Sequence, residues 1–453
     1  MPAILGPGDL RPFLDRLAAA NAAVAARYPG DPGRRQPVHT VYGGAQIVKR
    51  DTAARLGRLA LAALDAHAPD AGTFAAAAGV PPALAAPVYE RVREKLRREP
   101  VEDFRIDFED GYGNRPDAEE DADAERTAVE VAAGLAAGTL PPFLGIRVKP
   151  LSEELKARAA RTLELFLSAR VAAAAGAPPP EFFERFVVTL PKITSPEQPA
   201  ALAALLARLE ERLELPPGSL RFEVMIETPQ SVFAAGGEAA APALVAAGGG
   251  RCVAAHFGTY DYTALMGITA AHQHMTHPAC DFARHVLQVS LAGTGTWLSD
   301  GATNVLPVVP HRAAPDGPPL TAEQEGENRR SVHAAWRLHA DHVRHSLTHA
   351  YYQGWDLHPA QLPTRYAAVY AFFLGGLDAA AERLRHFVAR AAQATLIGDV
   401  FDDAATGQGL LNYFLRAVNC GALSEAEAVE RTGLTLEEIR ARSFLKILAA
   451  RRG

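Results

Sequence analysis

RFVVTLPKITSPEQPAALAALLARLEERLELPPGSLRFEVMIETP (185–229) carries the pattern that decides the fold. It opens on a short run of Phe, Val, Thr and Leu and passes through a Pro-Lys turn. It continues as an Ala/Leu/Arg/Glu stretch with helical period and returns to a second β-rich run. Strand, helix, strand in that order is a parallel βαβ unit. Working outward, the alternation recurs: VHTVYGG (38–44), DFRIDFE (103–109) and FLGIRVK (143–149) come before it, and CVAAHFG (252–258) after. A run near Thr303–Val309 and a short one at Trp355–His358 bring the strands to eight. Helical stretches such as SEELKARAARTLELFLSAR (152–170) separate them. Eight βα repeats predict a closed (β/α)8 barrel rather than an open sheet. Residues 8–28 read as an amphipathic helix, and DPGRRQP (31–37) as a linker. From about 365 onward the strands stop and the chain reads as helix. The expected division is an N-terminal helix and linker over 1–36, a barrel over 37–364 and a helical C-terminal cap over 365–453.

Composition narrows the function. The chain has 453 residues, 48% apolar and 22% charged, enough to bury a large core in a soluble protein. A net charge of −6 with no basic stripe argues against a nucleic-acid partner. No stretch of about 18 apolar residues is free of charges or breakers, so no membrane span is expected. Cys252, Cys280 and Cys420 lie far apart and form no CxxC pair. That fits a reducing cytoplasm rather than a disulfide scaffold. The opening MPAILGPGDLRPFLDR lacks the basic and apolar regions of a signal peptide, so a cytoplasmic location is expected.

In a (β/α)8 barrel the chemistry sits at the C-terminal ends of the strands. The second predicted strand ends in Asp107, Glu109 and Asp110, and the third carries Arg147 and Lys149. The fourth ends in Pro191-Lys192, the fifth in Glu227-Thr228-Pro229, the sixth runs into Tyr260-Asp261, and the eighth ends in His358-Pro359. Five carboxylates would thus converge with three cations. Carboxylates held that close repel unless a cation sits among them, and a hard divalent ion satisfies this. The competing reading is that single acids here cap the next helix or pair with a neighbouring Arg.

Six motifs in order resemble the HpcH/HpaI aldolase and citrate lyase β-subunit family: DFEDGYG, GIRVKP, TLPKITS, IETPQSV, GTYDYTALMG and DLHPAQL. The resemblance spans about residues 100–365. It implies a barrel of the phosphoenolpyruvate/pyruvate-binding type and a carbon–carbon lyase or aldolase acting on a keto or hydroxy acid, with a CoA thioester as a further possible substrate form. By position it makes Glu227 and Asp261 the ligands of Mg2+, with Mn2+ as the alternative ion. It makes Arg147 the group that binds the substrate carboxylate, with Lys149, Thr228, Pro229 and His358 lining the substrate. Homo-oligomers are usual in that group, so one is expected here. Lys149 stands where the family has Asn, and an Ala/Gly-rich insert at 235–250 stretches the segment between Glu227 and Asp261. The extra N-terminal helix and helical tail are similar to those of malyl-CoA lyases and malate synthases. A malate-synthase-like condensation of an acyl-CoA therefore stands as the alternative reaction, and a silent metabolite-binding barrel as the alternative of another class.

Cleavage through an enolate needs a base, for which Glu109 or Asp110, a His, or a carboxylate of the C-terminal region are the candidates, and cations such as Lys192 or Lys149 to hold anionic oxygens. GDVFDDAATGQG (398–409) offers Asp399, Asp402 and Asp403 beside glycines that could hinge a lid over the barrel mouth. AHQHMTHP places His272, His274 and His277 close together, which reads as a solvated loop near the site rather than a zinc cluster. His39 fits either the mouth or the packing. Asp300 and Asn304 fit either a substrate contact or a turn.

Overall fold

The computed structural model describes residues 5–30, 34–173, 179–314, 317–389, 395–397, 400–402, 404–441 and 443–452. Eight parallel strands close into a barrel in chain order: β1 (His39–Gly44), β2 (Asp103–Asp107), β3 (Phe143–Arg147), β4 (Phe186–Leu190), β5 (Arg221–Ile226), β6 (Cys252–Phe257), β7 (Trp297–Ala302) and β8 (Gln353–Asp356). The chain is a (β/α)8 barrel with a helical C-terminal region, as the alternating pattern predicts. Six strands lie where they are expected. The seventh is displaced: Thr303–Val309 is irregular, and WLSDGA (297–302) forms the strand. Asp300 and Gly301 look like turn residues in the sequence. In the fold Asp300 is buried and faces the outer helices, where Arg284 Nη1 (3.0 Å) and Ser346 Oγ (2.6 Å) bond its carboxylate.

Side chains alternate across each strand. Phe104, Ile106, Ile146, Val188, Val224 and Ile226 are buried in the apolar core cluster. The residues between them face the barrel axis and are largely polar. Arg105 Nε and Nη2 bond Glu223 (both 2.9 Å), Nε also donates to Thr189, and Nη1 pairs with Asp103. Thr40 Oγ1 donates to Asp103 (2.9 Å), and Gln353 Nε2 to Thr40. A buried charge is tolerated only when paired and hydrogen-bonded, and this layer meets that condition. It forms the floor beneath the mouth.

The expected 364/365 boundary falls inside the helix Leu362–Gly375, which packs on the helices Ala85–Arg98 and Ala322–Thr348 of the outer ring. Its Tyr366, Ala367 and Ala368 are fully buried. The helix Leu377–Ala389, the short antiparallel pair β9 (Thr395–Ile397) and β10 (Val400–Asp402), and, among the described residues, four further helices beginning with Ala404–Asn419 follow. Arg416 Nη1 bonds Gln36 Oε1 (3.3 Å), and its guanidinium lies 3.9 Å from the Tyr352 ring. Gln36 lies three residues before β1 and Tyr352 directly before β8, so this contact lies at the N-terminal ends of the strands. A cavity of about 370 Å³ there is lined by Gln36, Trp297, Tyr352 and Arg416. The tail, expected to close a barrel mouth, its own or a neighbouring subunit's, makes these contacts at the opposite end, while Arg365 at its start bonds Asp356 at the end of β8 (2.9 Å). Asp399 and Asp403 lie outside the described residues, and Asp402 is placed only as part of β10. The helix Pro7–Arg27 is exposed along its length, including Phe13, Leu14 and Leu17. Among the described residues no helix is long and apolar enough to cross a membrane.

Candidate active site

Asp107 ends β2 and Arg147 ends β3, and the two are register partners. Arg147 Nε and Nη2 donate to Asp107 Oδ1 (2.7 Å) and Oδ2 (2.5 Å), a two-point pair buried at the barrel mouth. The same carboxylate accepts from the backbone N–H of Glu109 (3.0 Å) and Gly111 (2.8 Å). Asp107 thus folds the DFEDG turn back on itself and carries Glu109 over the mouth. Glu109 Oε2 lies 2.9 Å from Arg147 Nη1, and its Oε1 pairs with Lys192 Nζ. Burial raises the Glu109 pKa, against the pull of Arg147 and Lys192.

Lys192 is the hub. Its ammonium lies 3.1 Å from Asp110 Oδ2 and 3.3 Å from Asp261 Oδ2, besides its bond to Glu109. Its backbone N–H donates to Glu227 Oε1 (2.7 Å). Lys192 has φ +50°, a left-handed conformation that a side chain disfavours and that persists only where the surroundings impose it. Burial opposes its charge, but Glu227 and Glu109 raise its pKa. Asp110 is lowered: burial works against ionisation, and Lys192 and Arg147 outweigh it.

Glu227 follows β5 and is 2% exposed. Burial, joined by the charges of Asp261 and Glu109, pushes its pKa up to about 8, with Lys192 and Arg147 acting the other way. It is wedged against Gly258, where a Cβ would stand 2.4 Å from Glu227 Oε2, so the turn after β6 requires glycine. Asp261, in the first turn of the helix Thr259–Leu265, is 38% exposed at its side chain and opens toward solvent. Two hard carboxylates side by side, one dry and one wet, suit an ion that takes one or two carboxylates and fills its other positions with water and substrate oxygens. Mg2+ and Mn2+ fit that donor set. One ammonium serves Glu109, Asp110 and Asp261 there.

The mouth therefore brings together Arg147, Glu109, Asp110, Lys192, Glu227 and Asp261. It does not bring Lys149, whose Nζ turns away to Phe108 O and the buried Glu120 (both 2.7 Å). Thr228 caps the short helix Pro229–Val232: its hydroxyl accepts from Ser231 N (3.1 Å) and donates to Ile193 O (2.7 Å). Thr228 and Pro229 thus aim Glu227 rather than offer a polar group of their own. His358 is half-buried after β8 and caps the turn Pro359–Gln361 through Ala360 N (3.2 Å); burial, then Arg312, holds its pKa below the ordinary histidine value. Asp107 serves Arg147 and is not a free carboxylate.

Other sequence candidates resolve as packing. His39 is buried between Asp356 (2.7 Å) and Glu102 N (3.0 Å). His277 caps the helix Pro278–Leu291, and Asn304 N donates to Tyr260 Oη (3.0 Å). Sequence reasoning missed two aromatic residues. The rings of Tyr42 and Trp355 lie 4.5 Å apart, tilted by 43°, and the Arg147 guanidinium lies 4.7 Å from the Tyr42 ring. The Tyr42 hydroxyl is buried with no hydrogen-bond partner among the described residues. Their only signal was an aromatic residue in each of the first and last strands, which ordinary β-propensity explains equally well.

A closed parallel barrel with a mixed carboxylate and cation cluster at its mouth is the class of protein this fold and site define. The chain belongs to the family described as "Domain of unknown function (DUF6986)", whose model matches residues 17–447. No curated protein matches it. Among solved structures it is similar to a citrate lyase from Burkholderia xenovorans LB400 at 18% identity and a TM-score of 0.54, covering 76% of this chain and 91% of that one. It also aligns with malate synthase from Haloferax volcanii at 16% identity and a TM-score of 0.45, over 90% of this chain and 97% of that one. These likenesses concern the fold.

Proposed function

We propose that this protein is a divalent-metal-dependent enzyme that makes or breaks a carbon–carbon bond beside the carboxylate of a 2-oxo or 2-hydroxy acid. The observation that carries the reading is the convergence of Glu109, Glu227 and Asp261 with Lys192 and Arg147 at the mouth. The motif resemblance to the HpcH/HpaI and citrate lyase β-subunit family supports it. Glu227 and Asp261 would hold Mg2+ or Mn2+, which supplies Lewis-acid charge where an enolate oxygen develops.

Arg147 cannot clamp a substrate at two points, because Asp107 already occupies its fork. Only Nη1 faces the mouth, and Glu109 sits on it. An incoming carboxylate would displace Glu109 Oε2 from Nη1. Glu109, relieved of one cation and already raised by burial, would then take up a proton at Oε2. Lys192 would keep the anionic oxygens in place. A homo-oligomer remains part of the proposal, with the exposed Pro7–Arg27 helix as a contact surface.

The test is turnover by the purified protein with Mg2+ or Mn2+. One arm offers acetyl-CoA with glyoxylate, pyruvate or oxaloacetate and reads free thiol. The other offers 4-hydroxy-2-oxo acids and reads pyruvate. Metal-dependent turnover in either arm, lost in Glu227→Gln, is expected; the arm that responds decides whether a thioester is involved. Mg2+ binding with no turnover in either arm would favour a metabolite-binding barrel and overturn the proposal.

A further inference from the structure

We propose a second metal site, for a zinc-class ion, on the outside of the barrel wall between the helices that follow β6 and β7. Asp281 and His285 stand one turn apart on the helix Pro278–Leu291. His345 and His349 stand one turn apart at the end of the helix Ala322–Thr348. Residues four apart share a helix face, so each helix offers two ligands toward the other. Asp281 Oδ1 lies 2.7 Å from His345 Nε2. The rings of His345 and His349 are 4.4 Å apart, and those of His285 and His349 are 5.3 Å apart. One ligand atom each from Asp281, His345 and His349 falls within 4.8 Å of the others.

Three features point to a metal rather than a chance cluster. His349 Nδ1 lies 2.8 Å from the backbone oxygen of His345. Only a protonated Nδ1 can make that bond, so the lone pair is left on Nε2. A histidine oriented through its other nitrogen in this way is typical of metal ligands. The two helices are also clamped in place, because Gln288 Nε2 donates to His349 O (2.9 Å). Finally, the fully buried Arg284 braces Asp281 Oδ1 (2.5 Å) and ties it to Asp300 on β7, leaving Oδ2 for an ion. Arg284 Nη2 is 3.4 Å from His345 Nε2, so the ion competes with this cation for the acid.

Imidazole nitrogens with one carboxylate and no thiolate suit Zn2+, Co2+ or Ni2+ and not Mg2+. Ligand bonds of about 2.0 Å in a tetrahedron require neighbouring donors about 3.3 Å apart. Asp281 Oδ1 stays with Arg284, so Oδ2 and His345 Nε2 are the pair that must reach this spacing. The exposed His285, its ring 5.3 Å from that of His349, lies outside this three-residue group and would turn inward to supply a fourth donor. The site is separate from the mouth and does not rest on the proposed reaction.

The experiment is titration of chelator-treated protein with Co2+ and with Zn2+, reading the visible d–d bands of Co2+ and the heat of Zn2+ binding. The protein is the full chain, as wild type and as Glu227→Gln, His349→Gln and His285→Ala. Both histidines are at least partly exposed, so these variants keep the core intact. One equivalent giving an intense tetrahedral Co2+ spectrum is expected in wild type and in Glu227→Gln, and any further equivalent, held at the mouth, is lost in Glu227→Gln. His349→Gln should weaken Zn2+ at least tenfold and lose the spectrum, and His285→Ala should shift it. A wild type that shows no tetrahedral Co2+ spectrum overturns the proposal. So does a His349→Gln variant with unchanged spectrum and affinity.

Discussion

Glu227 allows the mouth to be tested through pH. Its pKa of about 8, against an ordinary 4.5, means that ionising it in place costs roughly 5 kcal/mol at 1.36 kcal/mol per pH unit. A metal must displace that proton, so affinity for Mg2+ or Mn2+ should rise with pH and level off above about 8. At pH 7 about one tenth of the sites are ionised and the apparent affinity is about tenfold below its plateau. At pH 6 the deficit is about a hundredfold. Calorimetry in two buffers of different ionisation heat should report about 0.9 proton released per ion at pH 7. Stability carries the same sign. The folded state binds the extra proton between pH 4.5 and 8, so the metal-free protein loses stability as pH rises through that window. Lowered groups such as Asp110 slope the other way, so the comparison is wild type minus Glu227→Gln. Affinity that varies less than about threefold between pH 6 and 8.5, with no proton release, would refute the reasoning.

The other predictions use the same contacts. Lys192→Met removes a charge that favours Glu227 ionisation, so the midpoint of the metal-affinity profile should move above 8; a midpoint at or below 8 would remove Lys192 from the cluster. Arg147→Lys exchanges a planar fork for a point charge, and loss of a charge-assisted hydrogen bond of about 1.5–3 kcal/mol should lower kcat/KM roughly ten- to hundredfold. Unchanged kinetics would place Arg147 outside the reaction. Asp107→Asn leaves the buried Arg147 short of its main partner and should cost about 3–5 kcal/mol in urea unfolding; a loss under 1 kcal/mol would contradict the pairing. Truncation after Arg365 strips most of the Leu362–Gly375 helix with its buried Tyr366 and Tyr370, and should yield insoluble protein, whereas a soluble folded product would show that helix to be dispensable.

The barrel was legible in the chain because each early strand is a short β-rich run set between Ala/Leu-rich helical stretches. β7 was not legible. Its Ser-Asp-Gly centre is polar, and Arg284 and Ser346, contributed by the helices before and after the strand, make Asp300 tolerable inside. The site was legible as a set of residue types at strand ends. Its division of labour was not: Asp107 and Glu109 stand two apart in one motif, yet one orients Arg147 and the other faces the mouth.

Local pattern and residue chemistry, which a linear chain carries in full, were enough to determine a barrel of eight βα units and the gathering of Glu227, Asp261, Arg147 and Lys192 at the C-terminal ends of its strands. Tertiary structure alone decided that Lys149 points at Glu120, that Tyr42 and Trp355 flank Arg147, and that the tail packs at the strands' N-terminal ends. It alone brought Asp281 to His345, 64 residues apart. Direction and partnership depend on which distant segments closure of the barrel sets side by side, and on which buried charges must then find a partner.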